Sequence, residues 1–215
     1  MRSVIWDWNG TLLDDLNFCI STINQILEKR DLELLDHVQY KEVFSFPVKD
    51  YYATIGFDFS KEDFAIPARE FIDIYDNGVK SCNLHRSAVK VLDFFKNAGK
   101  RQFVLSAMKQ NMLQETLGHQ NILHYFEGIA GLNDHYAASK IERGEQLIES
   151  HQIQKEKAVM IGDTIHDYEV AEKLGITCIL IANGHQSKER LESTGAFVAD
   201  KLEDLMDPEF LKLLP

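Results

Sequence analysis

Five short apolar runs, alternating with stretches of helical periodicity, constrain this chain more than any other feature. The runs cover residues 3–6, 102–105, 128–130, 158–161 and 177–181, and all but the last are followed directly by a polar residue or glycine. Runs this short, rich in Val, Ile and Phe, read as strands buried on both faces. Between them, residues 87–98 carry Val89, Val91, Leu92, Phe94 and Phe95 and stop at Gly99, while 167–174 present Val170, Ala171 and Leu174 before Gly175. Glycine after an amphipathic stretch is a left-handed helix stop. Strand and helix in alternation predict an α/β fold, a parallel sheet with helices on both faces.

Residues 15–79 break that rhythm. Leu16, Cys19, Ile20, Ile23, Ile26 and Leu27 form one helical stripe, and no convincing strand follows until the rhythm resumes. Gly56 is expected to close a helix containing Tyr51 and Tyr52, Ser60 with Asp63 to form a capping box, and Pro67 to kink the next helix. The expected organisation is therefore an α/β core of residues 1–14 and 80–215 with an all-helical insertion, 15–79, after the first strand. Such an insertion sits above the carboxyl ends of the strands, where open α/β sheets bind ligands. The tail, 201–215, is expected to be a terminal helix with a short end.

Composition narrows the function. The 215 residues are enough for a real core, 45% of them are apolar, and the formal charge is -11. That charge repels nucleic acid and anionic membranes, and no basic patch offsets it. No run approaches the roughly 20 apolar residues of a spanning helix, and the N-terminus lacks the apolar core of a secretory signal. Cys19, Cys82 and Cys178 are isolated and have no metal-ligand spacing. A cytoplasmic protein, monomer or homodimer, acting on a small molecule is the expectation.

The chemistry gathers at strand ends. Asp7-Trp8-Asn9-Gly10-Thr11 follows the first run and supplies a carboxylate, a glycine turn and a hydroxyl. A carboxylate there can attack phosphorus, and Gly10 lets backbone amides approach phosphoryl oxygens. An Asx turn capped by Thr11 reads equally well. After the fourth run, Gly162-Asp163-Thr164-Ile165-His166-Asp167 places a second acidic cluster at what would be the same sheet edge. Two such carboxylates facing an anionic substrate invite Mg²⁺. Acids stabilising a helix N-terminus are the alternative. Ser106, with the amides of Ala107 and Met108, can hold a phosphoryl oxygen or cap a helix, and Lys140 can neutralise a transferring phosphoryl group or be solvated surface.

The order of these elements, Asp7-x-Asn9-Gly10-Thr11, Ser106, Lys140, then Gly162-Asp163-x-x-x-Asp167, resembles the haloacid dehalogenase superfamily. Its phosphatases carry DxDGT, a strand-ending Ser or Thr, a Lys and GDxxxD in that order. The resemblance implies a Rossmann-like core, a helical cap, and Mg²⁺-dependent hydrolysis of a small phosphorylated metabolite in the manner of phosphoglycolate-phosphatase-like members. It makes Asp7 the nucleophile, Ser106 a phosphate donor and Lys140 the charge stabiliser. Asp163 becomes a metal ligand with Asp7 and the carbonyl of residue 9, and Asp167 a supporting acid that holds a water on the metal or Lys140.

One position departs from the pattern. Asn9 stands where the family's second Asp exchanges a proton with the leaving oxygen, and an amide cannot do so near neutral pH. Losing that group typically forfeits about 10²–10⁴-fold in rate. His166 is a conceivable substitute acid, though a surface histidine at a helix start is the plainer reading. Two alternatives follow. A phosphonate-cleaving enzyme of the same fold also lacks the second Asp but needs a cap lysine, for which Lys29, Lys41, Lys49 and Lys61 are available. A phosphate-ligand-binding protein with weakened turnover is the other. Phe44 and Phe46, in the turn before Lys49, are expected over the pocket.

Overall fold

The protein is described here from a computed structural model that covers residues 2–132 and 139–208. Its main sheet contains β1 (Ser3–Trp6), β4 (Arg101–Lys109), β5 (Gly128–Leu132), β6 (Ala158–Gly162), β7 (Thr177–Ile181) and β8 (Phe197–Ala199). The strands lie in the order β5-β4-β1-β6-β7-β8, and every pair is parallel. The chain thus builds outward from β1 to one side and then returns to build outward on the other. That reversal beside β1 is the switch point at which open α/β sheets form a crevice.

Side-chain alternation sorts the core into two layers. Val4, Trp6, Val104, Val159, Ile161 and Ile179 face one side and pack with Val91, Leu92 and Phe95 of α5 (Ala88–Asn97) and Leu113 and Leu117 of α6 (Gln110–His119). Ile5, Phe103, Leu105, Met160 and Leu180 face the other and meet Leu147 and Ile148 of α7 (Lys140–Ser150) and Val170, Ala171 and Leu174 of α8 (Ile165–Leu174). The period-2 pattern of parallel strands with both faces covered is responsible. Ile5 and Phe103 are fully buried, so truncating either to Ala costs about 2–5 kcal/mol.

Between β1 and α5 the chain is almost wholly helical: α1 (Leu16–Glu28), α2 (His37–Val43), α3 (Val48–Thr54) and α4 (Ala65–Gly78). Two-residue strands β2 (Leu13–Asp14) and β3 (Asn83–Leu84) pair antiparallel at its base, so the chain leaves and re-enters the sheet domain through adjacent backbones. The apolar stripe of α1 is buried as its spacing requires, and its residues join the same apolar cluster as one face of the sheet. Among the described residues, no helix is long and apolar enough to cross a membrane.

Several expectations are corrected. β4 runs past Ser106 to Lys109 because its ladder with β5 shifts register: Leu105 opposes Ala130, then Lys109 opposes Leu132. Four steps on one strand match two on the other, so residues 106–108 bulge out at the sheet edge. Ser60 caps nothing; its hydroxyl bonds Asp58, and the Asp63 carboxylate accepts from the amide of Ala65 instead. Pro67 lies in the first turn of α4, where its missing N–H has no intrahelical role, so it produces no kink of the expected kind. β2, β3 and β8, at two or three residues each, are too short to show a period. The tail contains a 3₁₀ turn at Leu202–Met206, and positions 209–215 lie outside the described residues.

Candidate active site

Parallel register brings the sequence motifs together. Ser3 pairs with both Arg101 and Ala158 and Trp6 with both Val104 and Ile161, so β1, β4 and β6 run in register, and Asp7, Ser106 and Asp163 come to one edge. Lys140 arrives from elsewhere in the chain. Ser139 and Glu142 form a reciprocal capping box that starts α7, with Oγ accepting from the Glu142 amide at 3.2 Å, and this fixes Lys140 in the first turn. Its buried ammonium donates to a carboxylate oxygen of Asp7 and, at 2.6 Å, to Oδ1 of Asp167.

Asp167 serves two functions. Its Oδ2 accepts from the Thr164 amide at 3.0 Å and the Thr164 hydroxyl at 2.7 Å, capping α8, while Oδ1 holds Lys140. One carboxylate thus both caps the helix and holds the buried lysine. Thr11, fully buried, donates to Oδ1 of Asp163 at 2.9 Å and so positions that carboxylate instead of facing the cavity. The His185 amide holds its other oxygen at 2.7 Å. Gly10, at φ 74°, and Gly184 leave room for it, because a Cβ at either position would collide with the Asp163 carboxylate.

Ser106 reaches Asn9 Oδ1 with its hydroxyl at 3.3 Å and accepts from the Met108 amide at 3.0 Å. The Met108 N–H expected at a phosphoryl oxygen is bonded to Ser106 here, and the bulge presents Ser106, Ala107 and Met108 to the cavity.

The carboxylates of Asp7, Asp163 and Asp167 offer oxygens within 4.8 Å of one another, all buried. Burial, with repulsion from Asp167 and Asp163, raises Asp7 well above the carboxylate range despite Lys140. Burial and the Asp167 charge likewise push Asp163 up to about 6, although His185 opposes them. Burial works against Asp167 too, but Lys140 holds it below the ordinary value. Three buried carboxylates against one ammonium leave an excess of negative charge on hard oxygen donors, which fits Mg²⁺. Asp167 holds Lys140 and the helix cap, and Asp7 and Asp163, the carboxylates that the resemblance to the family makes metal ligands, stand in the same cluster.

Sequence reasoning missed Asp15 and His185. Asp15 stands at the N-cap of α1 yet makes no side-chain cap bond. Instead, Oδ1 accepts from the Gly10 amide at 2.8 Å and His185 Nε2 at 3.1 Å, and Oδ2 from Asn9 Nδ2 at 2.9 Å and the Tyr75 hydroxyl. Although burial opposes it, His185 and these donors bring Asp15 down to about 2. Burial likewise opposes the charge on His185, yet Asp15 raises it to about 9. His185 Nδ1 faces the Tyr40 hydroxyl at 3.1 Å, so Asp15, Cys19 and His185, though close enough to share a cation, close on themselves. Asn9 is consequently locked: Nδ2 is held by Asp15 and by the Tyr75 hydroxyl at 2.6 Å, and Oδ1 turns toward Ser106.

Helices α1–α4 roof a cavity of about 870 Å³ over this edge. Phe44, Phe46 and Lys49 line it as expected, with Phe46 stacked on His166 at 4.7 Å. Gln186 Nε2 and Arg190 Nη1 each donate to the Phe44 carbonyl at 2.8 Å, tying the roof to the sheet domain. Of the four lysines between residues 15 and 79, Lys29 pairs with Glu70 and Lys61 with Asp58, Lys41 is outside the lining, and Lys49 alone lines the cavity.

Residues 4–181 match the family of haloacid dehalogenase-like hydrolases. The chain is 23% identical to a phosphoglycolate phosphatase of Vibrio parahaemolyticus, over 96% of its own length and 95% of the relative's. It is 22% identical to a 5'-nucleotidase of Pseudomonas aeruginosa, over 89% and 87%. In structure it resembles a haloacid dehalogenase-like hydrolase of Streptococcus pneumoniae with a TM-score of 0.81 at 19% identity, covering 96% of this chain and 97% of that one.

Proposed function

This chain belongs to the haloacid dehalogenase-like hydrolases, and we propose that within the family it is an Mg²⁺-dependent phosphatase of small phosphomonoesters, working through a phosphoryl group on Asp7. The observation that carries this reading is the buried Lys140, bonded to Asp7 and Asp167 at the C-terminal edge of the sheet. An ammonium there opposes the burial that raises Asp7 and draws a phosphoryl group in. The relatives named phosphoglycolate phosphatase and 5'-nucleotidase support the same reaction class.

In this reading Asp7 attacks phosphorus, the bond to the leaving oxygen breaks, and Ser106 donates to a phosphoryl oxygen while Lys140 offsets charge. Asp163, with Asp7 and the backbone carbonyl of Asn9, would hold Mg²⁺, which when bound neutralises phosphoryl charge and orients the ester for in-line attack. Thr11 and the His185 amide keep Asp163 aimed at the cluster, and Asp167 keeps Lys140 in place. Asn9, locked by Asp15 and Tyr75, accepts a hydrogen bond through Oδ1 but moves no proton. Residues 15–79 act as a cap over the core formed by 1–14 and 80–215, excluding water while the ester is bound.

The test is phosphate release from a panel of phosphomonoesters with Mg²⁺ and with chelator. The reading expects turnover that chelation and Asp7→Asn both abolish. Turnover that survives Asp7→Asn would overturn the nucleophile assignment.

A further inference from the structure

The cavity is larger and less anion-friendly than a small acidic ester requires. Binding sites of roughly 300–1,000 Å³ enclose ligands of drug size. At about 870 Å³ this one would leave a two-carbon acid surrounded mostly by water. Its outer wall presents the rings of Phe44, Phe46, Tyr51, Phe64, Phe71 and Tyr75. Several are already paired as flat surfaces: Phe44 stacks on Tyr40 at 5.1 Å and 12°, and Phe71 on Tyr75 at 5.7 Å and 11°. The charged residues of that wall do not form an anion clamp. Away from the carboxylate cluster, Lys49, Arg69 and Lys109 are matched in number by Asp63, Asp73 and Asp76, and Lys49 Nζ sits over the Phe59 ring at 5.7 Å. A carboxylate or a second phosphate would meet no net positive charge there.

A second, independent observation concerns the leaving oxygen. Residue 9 is an amide whose Nδ2 is held by Asp15 and Tyr75, so it has no proton to give. An alkoxide needs that proton to depart; a phenoxide, whose conjugate acid has a pKa of about 10, needs it far less.

Resting on the phosphatase reading above, we propose that the substrate class is aryl phosphates, esters of phosphate with a phenol whose ring stacks in the aromatic cap. Attack by Asp7 forms the Asp7–phosphorus bond as the bond to the phenolic oxygen breaks. The phenoxide leaves with the electron pair and takes its proton from water. Hydrolysis of the phosphoaspartate then returns inorganic phosphate.

Three esters and one acyl phosphate separate ring recognition from leaving-group quality. Phenyl phosphate has both, benzyl phosphate has the ring alone, acetyl phosphate has the good leaving group alone, and 2-phosphoglycolate has neither. The expected kcat/KM for phenyl phosphate exceeds that for 2-phosphoglycolate by about 100-fold or more. Benzyl phosphate matches phenyl phosphate in KM but falls in kcat, whereas acetyl phosphate keeps kcat and loses in KM. Phe71→Ala raises KM for phenyl phosphate about tenfold more than KM for acetyl phosphate. A kcat/KM for 2-phosphoglycolate equal to or above that for phenyl phosphate overturns the aryl assignment and leaves the phosphatase reading standing. If no ester is turned over, the phosphatase reading fails, and calorimetry on Asp7→Asn decides the ligand class. Tighter binding of phenyl than of glycolate ester upholds an aryl-phosphate site, and the reverse order overturns it.

Discussion

Asn9→Asp places a second carboxylate against Asp15. The Asn9 amide nitrogen lies 2.9 Å from Asp15 Oδ2, and Asp15, brought down to about 2, stays ionised across the working range. Two unit charges about 3 Å apart at an effective dielectric of about 20 repel by about 5 kcal/mol, of which protonated His185 offsets a part. Protonation caps the cost: holding a carboxyl of ordinary pKa about 3.9 neutral at pH 7 takes about 4 kcal/mol. Both routes give a loss of up to about 4 kcal/mol, a large share of a typical 5–15 kcal/mol stability. The sign follows from linkage. The new carboxyl has a folded pKa above its unfolded one, so the penalty is absent below about pH 4 and grows as pH rises. Asp15→Asn removes the repulsion at the expense of its own pair with His185, so the double variant should be more stable than the two single losses predict, by about 2 kcal/mol or more. Urea unfolding of wild type, Asn9→Asp, Asp15→Asn and the double variant at pH 5 and pH 8, in chelator, measures this coupling. Equal stability of Asn9→Asp and wild type at pH 8, or strict additivity in the cycle, would refute the clamp.

Other consequences are direct. Lys140→Met strands Asp7 and Asp167 as unpaired buried acids and should cost about 3–5 kcal/mol near neutral pH by denaturant unfolding, much of it recovered in Lys140→Met/Asp167→Asn. His185, raised to about 9, contributes stability that is fully present below pH 6.5 and is lost as pH rises through 9. His185→Gln should flatten that slope in melting temperatures between pH 7 and 10. Mg²⁺ should raise the melting temperature of the wild type, and Asp163→Asn should abolish that shift, because mass action stabilises only a chain that holds the ion. Gly10→Ala forces φ 74° on an L-residue and drives a Cβ into Asp163 and His185, so it should destabilise the fold by about 1–3 kcal/mol or more and lose the Mg²⁺ shift.

Much of this architecture was legible because it depends on period and order. β1, β6 and β7 follow from apolar runs, and the shared register of β1, β4 and β6 then brings Asp7, Ser106 and Asp163 to one edge. The clamp around Asn9 was hidden for a physical reason. Asp15 sits where an aspartate ordinarily caps a helix, and only the tertiary fold turns its carboxylate away from α1 toward Gly10, Asn9, Tyr75 and His185. His185 left a weak signal: it follows β7 at the same carboxyl edge that drew attention to Ser106, behind a glycine. Tyr75 left none, since an aromatic on a helical stripe reads as packing. The bulge after Leu105 was invisible for a similar reason, because register belongs to a pair of strands and not to one.

The central claim is that Asp7 carries the phosphoryl group. With Asn9 unable to activate water, its hydrolysis should be the slower step, so the intermediate should accumulate. Acid-quenching the protein during turnover of phenyl phosphate and sequencing the peptide spanning Asp7 by mass spectrometry tests this directly. One phosphoryl mass on Asp7, absent from Asp7→Asn, is the predicted result; sustained phosphate release with no adduct on Asp7, or release by Asp7→Asn itself, would contradict it.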